Sequence, residues 1–66
     1  MQIRVNGATR SPPERATVSE LLAALGHTGK RVAVERNGEI VPRSRHASTE
    51  LAPEDQIEIV VAVGGG

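Results

Sequence analysis

Sixty-six residues give one small domain with a modest core, worth roughly 3–5 kcal/mol of stability by the usual scale for such scaffolds. Eight basic and eight acidic residues cancel, and there is no Phe, Trp or Tyr. The sequence therefore lacks both the basic stripe of a general nucleic-acid binder and the rings that stack on single-stranded bases. It also has no cysteine, which excludes a disulfide, a thiolate metal site and a cysteine nucleophile.

The first element in chain order is Gln2-Ile3-Arg4-Val5, which alternates polar and apolar as a half-buried strand does. Asn6-Gly7 suits a type I′ turn, whose two central residues need positive φ. Ala8-Thr9-Arg10 then returns antiparallel, and Ser11-Pro12-Pro13-Glu14 reads as a loop. Thr17-Val18-Ser19-Glu20 has the spacing of a capping box, in which the Thr hydroxyl and the Glu carboxylate each take one backbone N–H. Val18, Leu21, Leu22 and Leu25 share one helical face, and Gly26 stands where a left-handed cap ends a helix. The spacing predicts a helix from near Val18 to near Leu25.

Val32-Ala33-Val34-Glu35-Arg36 predicts a further strand, and Asn37-Gly38 a second tight turn with Glu39-Ile40-Val41 pairing back. Pro42 ends that segment. Arg43 to Ala52 reads as polar and irregular with a short turn, and Pro53-Glu54-Asp55 leads into the last strand, which begins at Gln56. In that strand Ile57, Ile59, Val61 and Val63 share one face, while Glu58, Val60 and Ala62 take the other. The Leu21/Leu22/Leu25 stripe is expected to pack on Ile3, Val5, Val34, Ile57 and Ile59 as a two-layer α+β domain. His27 and His46 are far apart in sequence, without metal-ligand spacing, and both are expected on the surface or in loops. Lys30-Arg31 and the loop pair Arg43 and Arg45 read first as solvated charge, with docking to an acidic partner as the other reading. No apolar run approaches spanning length, so no membrane segment is expected, and without an N-terminal signal a cytoplasmic setting is the default.

The sequence given closes on Val63-Gly64-Gly65-Gly66. Glycine has no Cβ, so such a stretch is thin enough to enter a narrow active site. Two readings stay open from these residues alone: an ordinary frayed end, or a thread that is itself a substrate. The expected organisation is a domain over residues 1–63 and a flexible glycine tail over residues 64–66.

The Asn6-Gly7 hairpin, Thr17-Val18-Ser19-Glu20-Leu21-Leu22, the segment Val34 to Arg43, and the stretch from Asp55 to Gly66 follow one another in an order that resembles the β-grasp, ubiquitin-like domains. More closely, they resemble the ThiS family of sulfur carriers in thiamine biosynthesis, over the whole chain. The resemblance implies a β-grasp fold, with a mixed sheet of four to five strands packed on one helix. It implies a protein co-substrate rather than an enzyme, with no cofactor of its own. An E1-like, ThiF-type enzyme would use ATP to adenylate the Gly66 carboxylate. A sulfur donor protein would convert it to a thiocarboxylate, and a ThiG-type thiazole synthase would accept the sulfur. Gly64 and Gly65 become the tail that threads the partner channel, with Gly64 matching less strictly. Val60 and Ala62, flanked by Ala33, become a candidate partner interface, against the plain reading of exposed apolar residues, which are common on any surface. The sequence itself offers no nucleophile–base pair and no metal cluster, so the partners must supply the chemistry. The alternatives are a carrier like the small subunit of molybdopterin synthase, a modifier forming isopeptide bonds, and a non-carrier β-grasp binding module.

Overall fold

The computed structural model describes residues 1–62. Five strands form one mixed sheet: β1 (Ile3–Val5), β2 (Ala8–Arg10), β3 (Val32–Arg36), β4 (Glu39–Val41) and β5 (Gln56–Val61). One α-helix, α1 (Val18–Ala24), crosses between the two hairpins, and a 3₁₀ turn spans Arg43–Arg45. The strand order is β2-β1-β5-β3-β4, so the last strand lies at the centre. It runs parallel to β1 and antiparallel to β3. This is the β-grasp architecture.

Both hairpins close through two residues. Val5 pairs with Ala8 across Asn6-Gly7, and Arg36 with Glu39 across Asn37-Gly38. All four turn residues have positive φ, as a type I′ turn requires. The asparagines do more than turn the chain. The Asn6 side chain bonds both backbone groups of Ile59 on β5, while Asn37 Oδ1 accepts from the Gln56 N–H. The central strand is thus tied at its two flanks by the two turns.

The helix forms where its caps dictate. Glu20 N–H donates to the Thr17 hydroxyl, and Thr17 N–H donates to the Glu20 carboxylate at 2.8 Å. At the other end Gly26 has φ +79, its N–H donates to Ala23, and the His27 N–H donates to Leu22. That pair of bonds is a Schellman motif, which stops the helix at the predicted glycine. Val18, Leu21 and Leu22 are buried against Ile3, Val5, Val34, Ile57 and Ile59. Leu25, expected within the core, is only partly buried, since it is already the C-cap residue.

The segment from Arg43 to Ala52 departs from its expectation. It contributes Leu51 to the core, and Thr17 and Glu50 form an isolated β-bridge. The Leu51 N–H donates to Ala16, and the Val18 N–H to Thr49, which pins the segment across the start of the helix. His46 corrects the sequence reading: it is buried, 6% exposed. The 3₁₀ turn after Pro42 folds the chain back, so that the His46 ring reaches inward and Nε2 donates to the Val41 carbonyl at 3.1 Å. His27 is half-buried, and its Nδ1 has no hydrogen-bond partner among the described residues.

Candidate functional site

The sheet has one face under the helix and one open to solvent. Strand alternation places Gln56, Glu58 and Val60 outward and Ile57 and Ile59 inward. Ala62 is exposed as well, and its N–H donates to Arg31 at 2.9 Å, continuing the pairing past the end of β5. Val60 stands opposite Ala33 on β3 and is 66% exposed. The outward register of Val60 and Ala62 is therefore the one read from the sequence.

A second exposed apolar residue, Ile40 on β4, was missed. It is 64% exposed and pairs with Glu35 on the same open face. Its signal was present: once Val41 pairs inward with Val34, alternation must turn Ile40 outward. Between Ile40 and β5 the face is acidic. Glu35 on β3 and Glu58 on β5 are direct cross-strand partners, both exposed, and together with Asn37, Gly38 and Gln56 they line a shallow depression. Basic residues gather at the end of the sheet where β5 finishes. Lys30, Arg31 and Arg43 line a groove with His27, beside Val32, whose partner is Val61.

Behind the depression lies a buried polar knot. Asp55 accepts from Arg36 Nε at 2.8 Å, from the Asn37 amide at 3.0 Å and from the Ala52 N–H at 2.8 Å. Burial pushes its carboxyl up, but the bonds from Ala52, Asn37 and Arg36 outweigh that, and the group titrates below its ordinary value. The knot fixes the β3–β4 turn against the start of β5 and so sets the register of the open face. Among the described residues no group of three or more His, Asp or Glu side chains is placed to hold a metal, and no helix is long and apolar enough to cross a membrane. Val63 and the tail residues Gly64, Gly65 and Gly66 lie outside the described residues, as does the boundary drawn at residue 63.

Known proteins sharpen this picture. The sequence matches the ThiS family over residues 2–66. The chain belongs to the ThiS family. It is 45% identical over 53 residues to the sulfur carrier protein ThiS of Bacillus subtilis, a match covering 80% of each chain. The crystal structure of the thiamine biosynthesis protein ThiS from Geobacter metallireducens superposes with a TM-score of 0.82 at 35% identity, over 100% of both chains. The chain is also 44% identical over all 66 residues to a protein of Paramagnetospirillum magneticum named thiazole synthase. It spans 20% of the length of that protein, and the same share of a thiazole synthase from Magnetococcus marinus.

Proposed function

We propose that this ThiS-family chain is a sulfur carrier for thiazole formation in thiamine biosynthesis, with Gly66 as the residue that bears the sulfur. The observation that carries the reading is the family match over residues 2–66, joined to a fold alike end to end with a thiamine biosynthesis ThiS protein. The names of the Bacillus and Geobacter relatives favour the thiamine branch over the molybdopterin one. The two thiazole synthase relatives support a ThiG-type enzyme as sulfur acceptor.

The chemistry runs through the Gly66 carbonyl. A carboxylate oxygen attacks the α-phosphorus of ATP in a ThiF-type enzyme, and pyrophosphate leaves. A poor electrophile becomes an acyl adenylate with a good leaving group. Sulfide-level sulfur from a donor protein then attacks the acyl carbon and AMP leaves, so that one carboxylate oxygen is replaced by sulfur. These 66 residues contain no cysteine, so they hold no side-chain persulfide, and the acyl carbon is the available attachment point. In this reading the chain is a co-substrate, Gly64 and Gly65 thread the partner's channel, ATP belongs to the activating enzyme, and the setting is the cytoplasm. The open face bearing Val60 and Ala62 docks that enzyme while the tail reaches the nucleotide.

ATP–pyrophosphate exchange tests the assignment. The chain ending at Gly66 should support exchange with the cognate activating enzyme, and a chain shortened by Gly65 and Gly66 should support none. Equal exchange by both would leave a binding module as the better reading.

A further inference from the structure

Glu35 and Glu58 face each other directly across β3 and β5 on the open side of the sheet. Side chains so placed have Cβ atoms about 5 Å apart, and like charges there destabilise the sheet. Neither glutamate meets a cation within salt-bridge distance among the described residues, although Arg36 of the same strand does pair, with Asp55 behind them. The pair lines a shallow depression with Asn37, Gly38 and Gln56, and its neighbours in the sheet register are the exposed Ile40 on one side and Val60 with Ala33 on the other.

We propose that this depression receives an arginine side chain from an otherwise apolar surface of the enzyme that activates the chain. The inference rests on the docking of that enzyme to the open face, and it names the chemistry of the contact. Two carboxylates on adjacent strands offer four acceptor oxygens to one planar guanidinium, whose five donors match them; a lysine ammonium is a point charge and lacks that fork. Ile40 and Val60 flank the pair on the same face, so an apolar enzyme surface seated over them excludes water from the contact and strengthens it. The same charges disfavour the competing occupants. A second copy docked face to face by a two-fold axis would bring four glutamates together, and a nucleic acid would bring phosphates.

The test is calorimetric titration of the cognate activating enzyme with the wild-type chain, with Glu35→Gln/Glu58→Gln and with Val60→Glu, alongside thermal melts. The double variant should bind about tenfold more weakly or worse at low salt, the scale of a lost charge-assisted hydrogen bond. Its deficit should shrink at about 0.5 M salt, where screening shortens to a few ångströms. Its melting temperature should equal or exceed that of wild type, because a repulsion has been removed. Undiminished binding by the double variant, with Val60→Glu impaired, overturns the arginine seat and leaves the docking face standing. Undiminished binding by both variants, or no binding by wild type, overturns the docking reading and the proposal with it. A double variant that melts well below wild type makes the glutamates part of the fold and also overturns the proposal.

Discussion

The side chain of Asn6 acts as one more residue of backbone for Ile59. Its Oδ1 accepts the Ile59 N–H at 2.7 Å, and its Nδ2 donates to the Ile59 carbonyl at 3.1 Å. The backbone of β1 has already turned away into the hairpin at that point, so the primary amide extends the parallel ladder past the strand's end. Its own N–H continues the series by donating to Ile57. A residue chosen for its left-handed turn, with φ 49, thereby also secures the central strand.

These two tasks separate by substitution. Asn6→Gly keeps the positive φ and removes the amide, leaving two backbone groups of Ile59 without that partner. It should destabilise the domain by about 2 kcal/mol in urea unfolding. Asn6→Ala should lose roughly 1 kcal/mol more, because it adds the cost of a left-handed alanine. Equal stability of wild type and the Gly variant would show that the amide contributes nothing.

Asp55 should make stability depend on acid. Its folded-state titration is depressed, so the contribution is present above the unfolded carboxyl value of about 3.9 and is lost as pH falls through the lower folded value. The unfolding free energy of wild type should therefore fall below about pH 4 more steeply than that of Asp55→Asn. Asp55→Ala strands the Ala52 N–H and the Arg36 and Asn37 donors and should cost about 2 kcal/mol at neutral pH. Parallel pH profiles for wild type and Asp55→Asn would contradict the assignment.

Leu22 is 7% exposed within the core that joins α1 to β1, β3 and β5. Leu22→Ala should cost about 2–5 kcal/mol with the urea m value unchanged. Leu25→Ala should cost less, since that side chain is only partly buried at the helix end. The reverse ranking would misplace the helix on the sheet.

Local chemistry made much of this fold legible. Thr17-Val18-Ser19-Glu20, Gly26 and the two Asn-Gly turns each specify a conformation within a few residues and stand as read, and of the leucine stripe Leu21 and Leu22 are buried as expected while Leu25 is only partly so. Strand alternation likewise gave the outward register of Val60 and Ala62. What was missed depends on partners distant in sequence. His46 is buried because a 3₁₀ turn folds it under the helix start, which no periodicity announces. Asp55 looked like a turn residue, and only the folded arrangement brings Arg36 and Asn37 to it. The Glu35–Glu58 opposition needed the β3–β5 register, which pairs residues 23 positions apart by difference of their numbers. The proposed site at Gly64 to Gly66 was read from residue type and family resemblance, because glycines carry no side-chain pattern to confirm it.

The central claim is that sulfur is carried on the Gly66 carbonyl, and intact mass spectrometry tests it most directly. The chain is incubated with ATP, a sulfide source and its activating enzyme, beside a version with one alanine added after Gly66. The added residue moves the carboxylate by over 3 Å of extended chain, where a misplacement of about 1 Å can cost around a hundredfold in rate. Wild type should gain the mass difference between one sulfur and one oxygen, and fragmentation should place it on Gly66. The extended chain should keep its starting mass while melting at the wild-type temperature. Conversion of the extended chain at the wild-type rate without trimming, or no mass gain by either, would contradict the account.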